Sequence, residues 1–224
     1  MNWWLQRRTD GVSVAPSILS ADFSKLADEI EAVERAGADF LHLDVMDGHF
    51  VPALTFGPMI IEAIHRLASV ELIAHLMIEK PDSSIAAYVE AGAGTVSIHA
   101  EASSGIARDL KTIRSLGARA GIAINPDTPL DRVSEYFESI DLLLIMSVFP
   151  GKGGQRFIAD VLPKVIEAKK IRDSHNLSFA IEIDGGINAE TAPEARRAGA
   201  DILVAGTAVF KRPDYTIAIN ELRG

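Results

Sequence analysis

The 224-residue sequence predicts a single (β/α)8 barrel, and three observations carry that prediction. Eight short strand-like runs alternate with amphipathic stretches, a glycine-alanine phrase closes several of those stretches, and no length is left for a second domain or a long linker. An open doubly wound sheet is the competing arrangement. It would call for a glycine-rich dinucleotide turn after the first strand, and Ser17-Ile18-Leu19-Ser20-Ala21-Asp22 contains no glycine.

Residues 1–11 are expected to be an N-terminal tail and residues 12–224 the barrel. The tail holds Trp3, Trp4 and Leu5 ahead of Arg7 and Arg8, and reads either as a contact for a partner subunit or as a frayed end. The first strand is expected from Val12 to Leu19, followed by a helix capped by Asp22 with apolar residues at Phe23, Leu26, Ile30 and Val33. Ala36-Gly37-Ala38-Asp39 ends that helix, because glycine can enter the left-handed region and release the chain into the next strand, Phe40 to Met46. A third strand runs from Val70 to Met77. The closing phrase returns at Ala91-Gly92-Ala93-Gly94 before a fourth, Thr95 to His99, and at Leu116-Gly117-Ala118-Arg119 before a fifth, Ala118 to Asn125. Thr128-Pro129-Leu130-Asp131 reads as a helix start, with Thr128 as N-cap and Leu130, Val133 and Phe137 on one face. Strands at Asp141 to Ser147, Ser178 to Asp184 and Asp201 to Gly206 complete the eight, with Asn188 capping a helix and Ala198-Gly199-Ala200-Asp201 ending it.

Composition narrows the function classes. An apolar content of 48% excludes a largely disordered chain, and a formal net charge of −9 argues against a broad nucleic-acid-binding face. The absence of cysteine removes disulfides and thiolate nucleophiles. No apolar run approaches the roughly 20 residues of a bilayer span, and no secretory signal is evident, so a cytoplasmic protein without membrane contact is expected.

Within the barrel frame, chemistry-bearing residues gather at strand ends. His42 and Asp44 stand two apart on the second strand and so share a face. His75 near the end of the third strand and Asp184 at the end of the seventh would converge on the same point, since a barrel collects its reacting groups at the carboxyl ends of its strands. Two imidazoles and two carboxylates suit one borderline divalent ion, zinc foremost, with iron, manganese or cobalt as alternatives, better than calcium or magnesium. Asp47 next to Gly48 reads as a turn residue, and Glu182 as interior polar packing one layer below Asp184.

Three glycine turns follow the sixth, seventh and eighth strands: Pro150-Gly151-Lys152-Gly153-Gly154-Gln155 ahead of a helical run from Ile158, then Gly185-Gly186, then Gly206-Thr207. Clustered at the last loops of a barrel, they suggest a phosphate cradle built from backbone N–H groups.

Four segments, His42-Leu-Asp-Val-Met-Asp-Gly-His-Phe-Val-Pro52, His75-Leu-Met77, Met146-Ser-Val-Phe-Pro-Gly-Lys-Gly-Gly-Gln155 and Glu182-Ile-Asp-Gly-Gly-Ile187, closely resemble the motifs of the ribulose-phosphate 3-epimerase family. The resemblance runs from about Val12 to the end. It implies epimerisation at C3 of a ketose phosphate, D-ribulose 5-phosphate to and from D-xylulose 5-phosphate in pentose phosphate metabolism. It further implies a metal held by His42, Asp44, His75 and Asp184, with Asp44 and Asp184 also serving as the acid/base pair. Ser17 and His75 would contact substrate, Met46, Met77 and Met146 would line the reacting carbon, and Gly151, Gly153, Gly154, Gly185, Gly186, Gly206 and Thr207 would hold the phosphate. A homo-oligomer is implied as well. Ala53, Lys152 and Thr207 depart from the family's usual Asn, Phe and Ser, and Ala74 replaces an expected β-branched residue. Two other readings stand beside this one, an allulose 6-phosphate 3-epimerase and a non-catalytic barrel that only binds a phosphate ligand.

Overall fold

The computed structural model describes residues 3–5 and 11–224. Its eight strands are β1 (Ser13–Pro16), β2 (Phe40–Met46), β3 (Glu71–Met77), β4 (Thr95–His99), β5 (Arg119–Ile124), β6 (Leu142–Met146), β7 (Ala180–Asp184) and β8 (Ile202–Ala205). All pair in parallel, each with its neighbour in sequence from β2 to β8, and β8 pairs back onto β1. The seam between β1 and β2 closes through a bridge from Ser17 to His42 and through Asp39, which accepts from Val14 N at 2.8 Å. The helices α1 (Leu26–Arg35), α2 (Pro58–Leu67), α3 (Ile85–Glu90), α4 (Ile106–Ser115), α5 (Asp131–Ser134), α6 (Leu162–Ser174), α7 (Ala192–Ala198), α8 (Thr207–Phe210) and α9 (Tyr215–Arg223) complete the (β/α)8 architecture. No described helix is long and apolar enough to cross a membrane.

Period-two alternation sorts every strand into two columns. Leu41, Leu43 and Val45 of β2 belong to the large apolar cluster shared with the helices, as do Leu72, Ala74 and Leu76 of β3. The other column lines the barrel interior. On β2 it reads Phe40, His42, Asp44, Met46 from floor to mouth, on β3 Ile73, His75, Met77, and on β7 Ala180, Glu182, Asp184. An apolar floor therefore underlies a polar middle layer.

The glycines of the four closing phrases, Gly37, Gly92, Gly117 and Gly199, have φ of +98°, +106°, +89° and +107°, as their helix-ending role requires. Three expectations are corrected. The first strand stops at Pro16, and Ile18–Ser20 form a 3-10 turn instead. Thr128 is not an N-cap: its hydroxyl donates to the Glu101 carboxylate, and α5 begins only at Asp131. The glycine turn after β6 does not run straight into a helix at Ile158, because Ile158 N pairs with Ser147 O and α6 starts at Leu162 after a 3-10 turn. Asp22 does cap, accepting from Ser24 N, and Asn188 Oδ1 accepts from Glu190 N and Thr191 N just ahead of α7.

Trp3–Leu5 form a 3-10 turn on the barrel floor, while Arg7 and Arg8 lie outside the described residues. Trp4 is 4% exposed and packs with Ala15, Phe40, Ile73, Leu142, Ala180, Ile202 and Val204. Trp3 meets Phe40 edge-on at 5.7 Å between ring centroids and carries the Arg119 guanidinium over its face at 4.5 Å. The Trp4 indole thus packs directly on the floor of the barrel. Replacing Trp4 with Ala is expected to lower the unfolding free energy by about 3 kcal/mol in urea denaturation; an unchanged midpoint would show that the plug adds nothing.

Candidate active site

The inward columns of β2, β3 and β7 bring His42, Asp44, His75 and Asp184 together, with ligand atoms all within 4.8 Å of one another. Register does the work: Asp44 lies beside His75 across the β2–β3 ladder, and Met146 beside Asp184 across β6–β7. His42 Nε2 stands 3.4 Å from Asp44 Oδ1 and 3.7 Å from Asp184 Oδ2, and His75 Nδ1 stands 3.3 Å and 3.8 Å from the same two oxygens. Among the described residues His42 Nε2 is buried with no hydrogen-bond partner. An orphaned imidazole nitrogen facing two carboxylates and a second imidazole is a donor set that fits a divalent cation.

Electrostatics separate the two aspartates. Burial would raise the Asp44 carboxyl, but His42 and His75 beside it hold it below the usual carboxylate range. Burial and then the Asp44 charge push Asp184 up to about 8. Without a cation at neutral pH, one carboxyl is therefore ionised and its neighbour protonated. Burial alone would lower His42, yet the Asp44 and Glu182 carboxylates hold it well above its ordinary value. Burial takes His75 down to about 3, leaving it neutral.

Behind this group runs a supporting layer. Glu182, as expected, stays out of the four and places Oε1 at 3.3 Å from His42 Nδ1. His75 Nε2 meets His99 Nε2 at 2.8 Å, and His99 Nδ1 meets Glu101 Oε2 at 3.0 Å. Burial would raise Glu101, but His99, the Asn125 N–H and the Thr128 hydroxyl lower it to about 2. His99 and Glu101 were not singled out from sequence. A signal was there in the two-residue spacing, although His99 ends β4 and Glu101 stands in the turn that follows it. Asp47 is a turn residue as expected, accepting from His49 N, Phe50 N and Glu79 N.

Above the group opens a cleft lined by Ser17, Asp44, Met46, Met77, Met146, Gly151, Gly153, Gly154, Asp184, Gly185, Gly186, Gly206 and Thr207. The predicted residues of three glycine loops thus share one wall with the two aspartates. Lys152 joins them, as do Ser20, Val148 and Gln155, which sequence reasoning passed over. Ser17 donates its hydroxyl to Asp44 Oδ2 at 2.5 Å. His75, fully buried beside Asp44, lies outside the cleft wall. The Met46 and Met77 side chains pack on Val51 beside Ala53, making an apolar edge to a polar floor.

The sequence model described as "Ribulose-phosphate 3 epimerase family" matches residues 13–210. The chain belongs to that family. It is 50% identical over 214 residues to the ribulose-phosphate 3-epimerase of Bacillus subtilis, covering 95% of this chain and 99% of the relative, and 48% identical to that of Synechocystis sp., covering 95% and 93%. Among solved structures, the 3-hexulose-6-phosphate synthase of Salmonella typhimurium superposes with a TM-score of 0.70 at 16% identity over 95% of this chain and 97% of that one, a likeness of fold alone. Membership of the family makes the protein an isomerase of the epimerase type. Its described residues hold the buried His42, Asp44, His75 and Asp184 group at the mouth of the barrel.

Proposed function

We propose that the protein interconverts D-ribulose 5-phosphate and D-xylulose 5-phosphate by two-aspartate proton transfer at C3. The observation that carries this reading is the placing of Asp44 and Asp184, two carboxyls from different strands, within reach of each other in the wall of one cleft. Asp44, ionised, abstracts the C3 proton from one face of the ketose, and Asp184, protonated, returns a proton to the other face of the enediolate. In the reverse direction the roles exchange. Ser17, through its bond to Asp44 Oδ2, orients the basic carboxylate. Met46, Met77 and Met146 keep bulk water from protonating the intermediate on either face. Backbone N–H groups of the glycine loops, with Gly151, Gly153, Gly154, Gly185, Gly186, Gly206 and Thr207 in the wall, hold the phosphate and so fix C3 between the carboxyls.

His42, Asp44, His75 and Asp184 would hold one divalent ion, zinc in the first instance. When bound, such an ion stabilises negative charge developing on the substrate oxygens, typically worth several kcal/mol. No redox cofactor is needed. In the same reading the enzyme is cytoplasmic, serves pentose phosphate metabolism and forms a homo-oligomer.

The test is solvent-deuterium incorporation at C3, run with ribulose 5-phosphate and with allulose 6-phosphate and repeated after chelation. Exchange faster with the pentulose phosphate, lost on chelation and restored by zinc, is the expected result. A preference for the hexulose phosphate would transfer the reading to an allulose 6-phosphate epimerase, and no exchange in metal-replete protein would leave only a phosphate-binding barrel.

A further inference from the structure

The two histidines that face the proposed metal are supported in different ways. His42 leans on one carboxylate, Glu182. His75 leans on a second imidazole, and that contact fixes where protons can sit. His75 Nε2 and His99 Nε2 are 2.8 Å apart, so one of the two nitrogens must carry the hydrogen and the other must accept it.

Which one carries it is decided further along the chain of contacts. Glu101 Oε1 accepts from the backbone N–H of Asn125 at 2.8 Å and from the Thr128 hydroxyl. Its other oxygen, Oε2, lies 3.0 Å from His99 Nδ1. A carboxylate has no hydrogen to give, so His99 must present Nδ1–H to it. In a neutral His99, Nε2 is then the acceptor, and His75 Nε2 must be the donor. That leaves the lone pair of His75 on Nδ1, 3.3 Å from Asp44 Oδ1 and 3.8 Å from Asp184 Oδ2, where a bound cation would be needed to keep lone pairs from facing one another. The far end of the chain is anchored as well. Lys164 Nζ donates to the carbonyls of Asn125, Pro126 and Thr128 at 3.3, 2.6 and 2.6 Å, tying the loop after β5 to α6.

We propose that His99 and Glu101 are positioning residues that hold His75 in the tautomer whose Nδ1 is free to bind the metal. The inference rests on the metal reading above. Its reach is the loop after β5, some way from the four ligating side chains, so the affinity of the site depends on residues that touch neither metal nor substrate.

Glu101→Gln is the discriminating change, because it keeps the shape and inverts the hydrogens. The Asn125 N–H can only donate, so the new amide must turn its oxygen that way and its NH2 toward His99 Nδ1. His99 then carries its hydrogen on Nε2, and His75 is driven to carry its own on Nδ1, facing the metal. Zinc affinity, measured by competition with a chromophoric chelator, is expected to weaken about 10–100-fold. Thr128→Val, which removes one partner of Glu101 without inverting anything, is expected to stay within about threefold, because the Asn125 N–H still holds Oε1 and the carboxylate still faces His99 Nδ1. The second readout is 15N NMR of the histidine rings in zinc-loaded wild type, where His99 should be protonated at Nδ1 and His75 at Nε2. Finding His99 protonated at Nε2 in wild type would overturn the proposal whether or not the variant folds. So would a Glu101→Gln protein with wild-type zinc affinity. Wild-type protein that takes up no zinc would instead sink the metal reading itself, an outcome distinct from the other two.

Discussion

Asp44→Asn is expected to lower kcat by about 10⁴-fold, and Asp184→Asn by a similar factor, with both chains still folded. An amide cannot take the C3 proton, nor return one to an enediolate. Each change also weakens one of four donors to the proposed metal, so the loss should sit at the upper end for general acid–base groups. Asparagine matches aspartate in size, and the Ser17 hydroxyl that donates to Asp44 can still find the amide oxygen, so a folding defect is not the expected cause. The two variants should differ in one respect that only a two-base mechanism produces. With Asp184 replaced, Asp44 can still remove and exchange the C3 proton of the epimer that presents it, so deuterium enters one epimer and not the other while turnover stops. Near-normal turnover in either variant would remove that aspartate from the chemistry. Exchange from both epimers in Asp184→Asn would point to a single base.

The parts of this molecule that were legible in the sequence are those set by local period. Strands of a closed parallel barrel are buried on both sides, so Phe40–Met46 reads as one apolar run interrupted only by His42 and Asp44, and the interruption marks the inward column. The closing glycines were legible because left-handed backbone leaves few residue choices. Longer-range relations were not. The Trp4 indole packs against residues from six different strands, and nothing near Trp4 in sequence announces it. Thr128 before Pro129 looks the same on paper whether its hydroxyl caps a helix or crosses to Glu101, and only the approach of the loops after β4 and β5 decides. His99 and Glu101 were not legible in this way, because residue type and spacing mark the side chains that could hold an ion. What holds those side chains in turn is a question of neighbouring strands. Glu182 shows the same limit from the other side, since its place in the interior was foreseen and its contact with His42 Nδ1 was not.

Gly186→Ala is expected to reduce kcat/KM by about 10²–10³-fold, since the phosphate cradle is where remote binding energy fixes the reacting carbon. Gly186 has φ +65°, and a Cβ there would stand 2.4 Å from the backbone N of Phe157, 2.7 Å from its Cα and 3.0 Å from the Gln155 carbonyl oxygen. These are main-chain atoms and cannot swing aside as a side-chain tip can. The loops after β6 and β7 therefore touch backbone to backbone, and alanine must push the segment carrying Gly151 to Gly154 outward or pull the turn after Asp184 away from the cleft. Gly186 O also accepts from the Thr191 hydroxyl at 2.9 Å, which ties the turn to the start of α7 and leaves it little room to yield. Left-handed backbone at a residue bearing a Cβ adds about 1–2 kcal/mol of strain. Gly57→Ala, ahead of α2 and outside the cleft wall, is the control, because a Cβ there meets nothing within 4 Å among the described residues and φ is −115°, so activity should remain within about threefold of wild type, as for an ordinary surface substitution. A Gly186→Ala enzyme with unaltered kcat/KM would mean that the β6 and β7 loops do not jointly hold the phosphate, and the cradle would then have to be built from Gly206 and Thr207 alone.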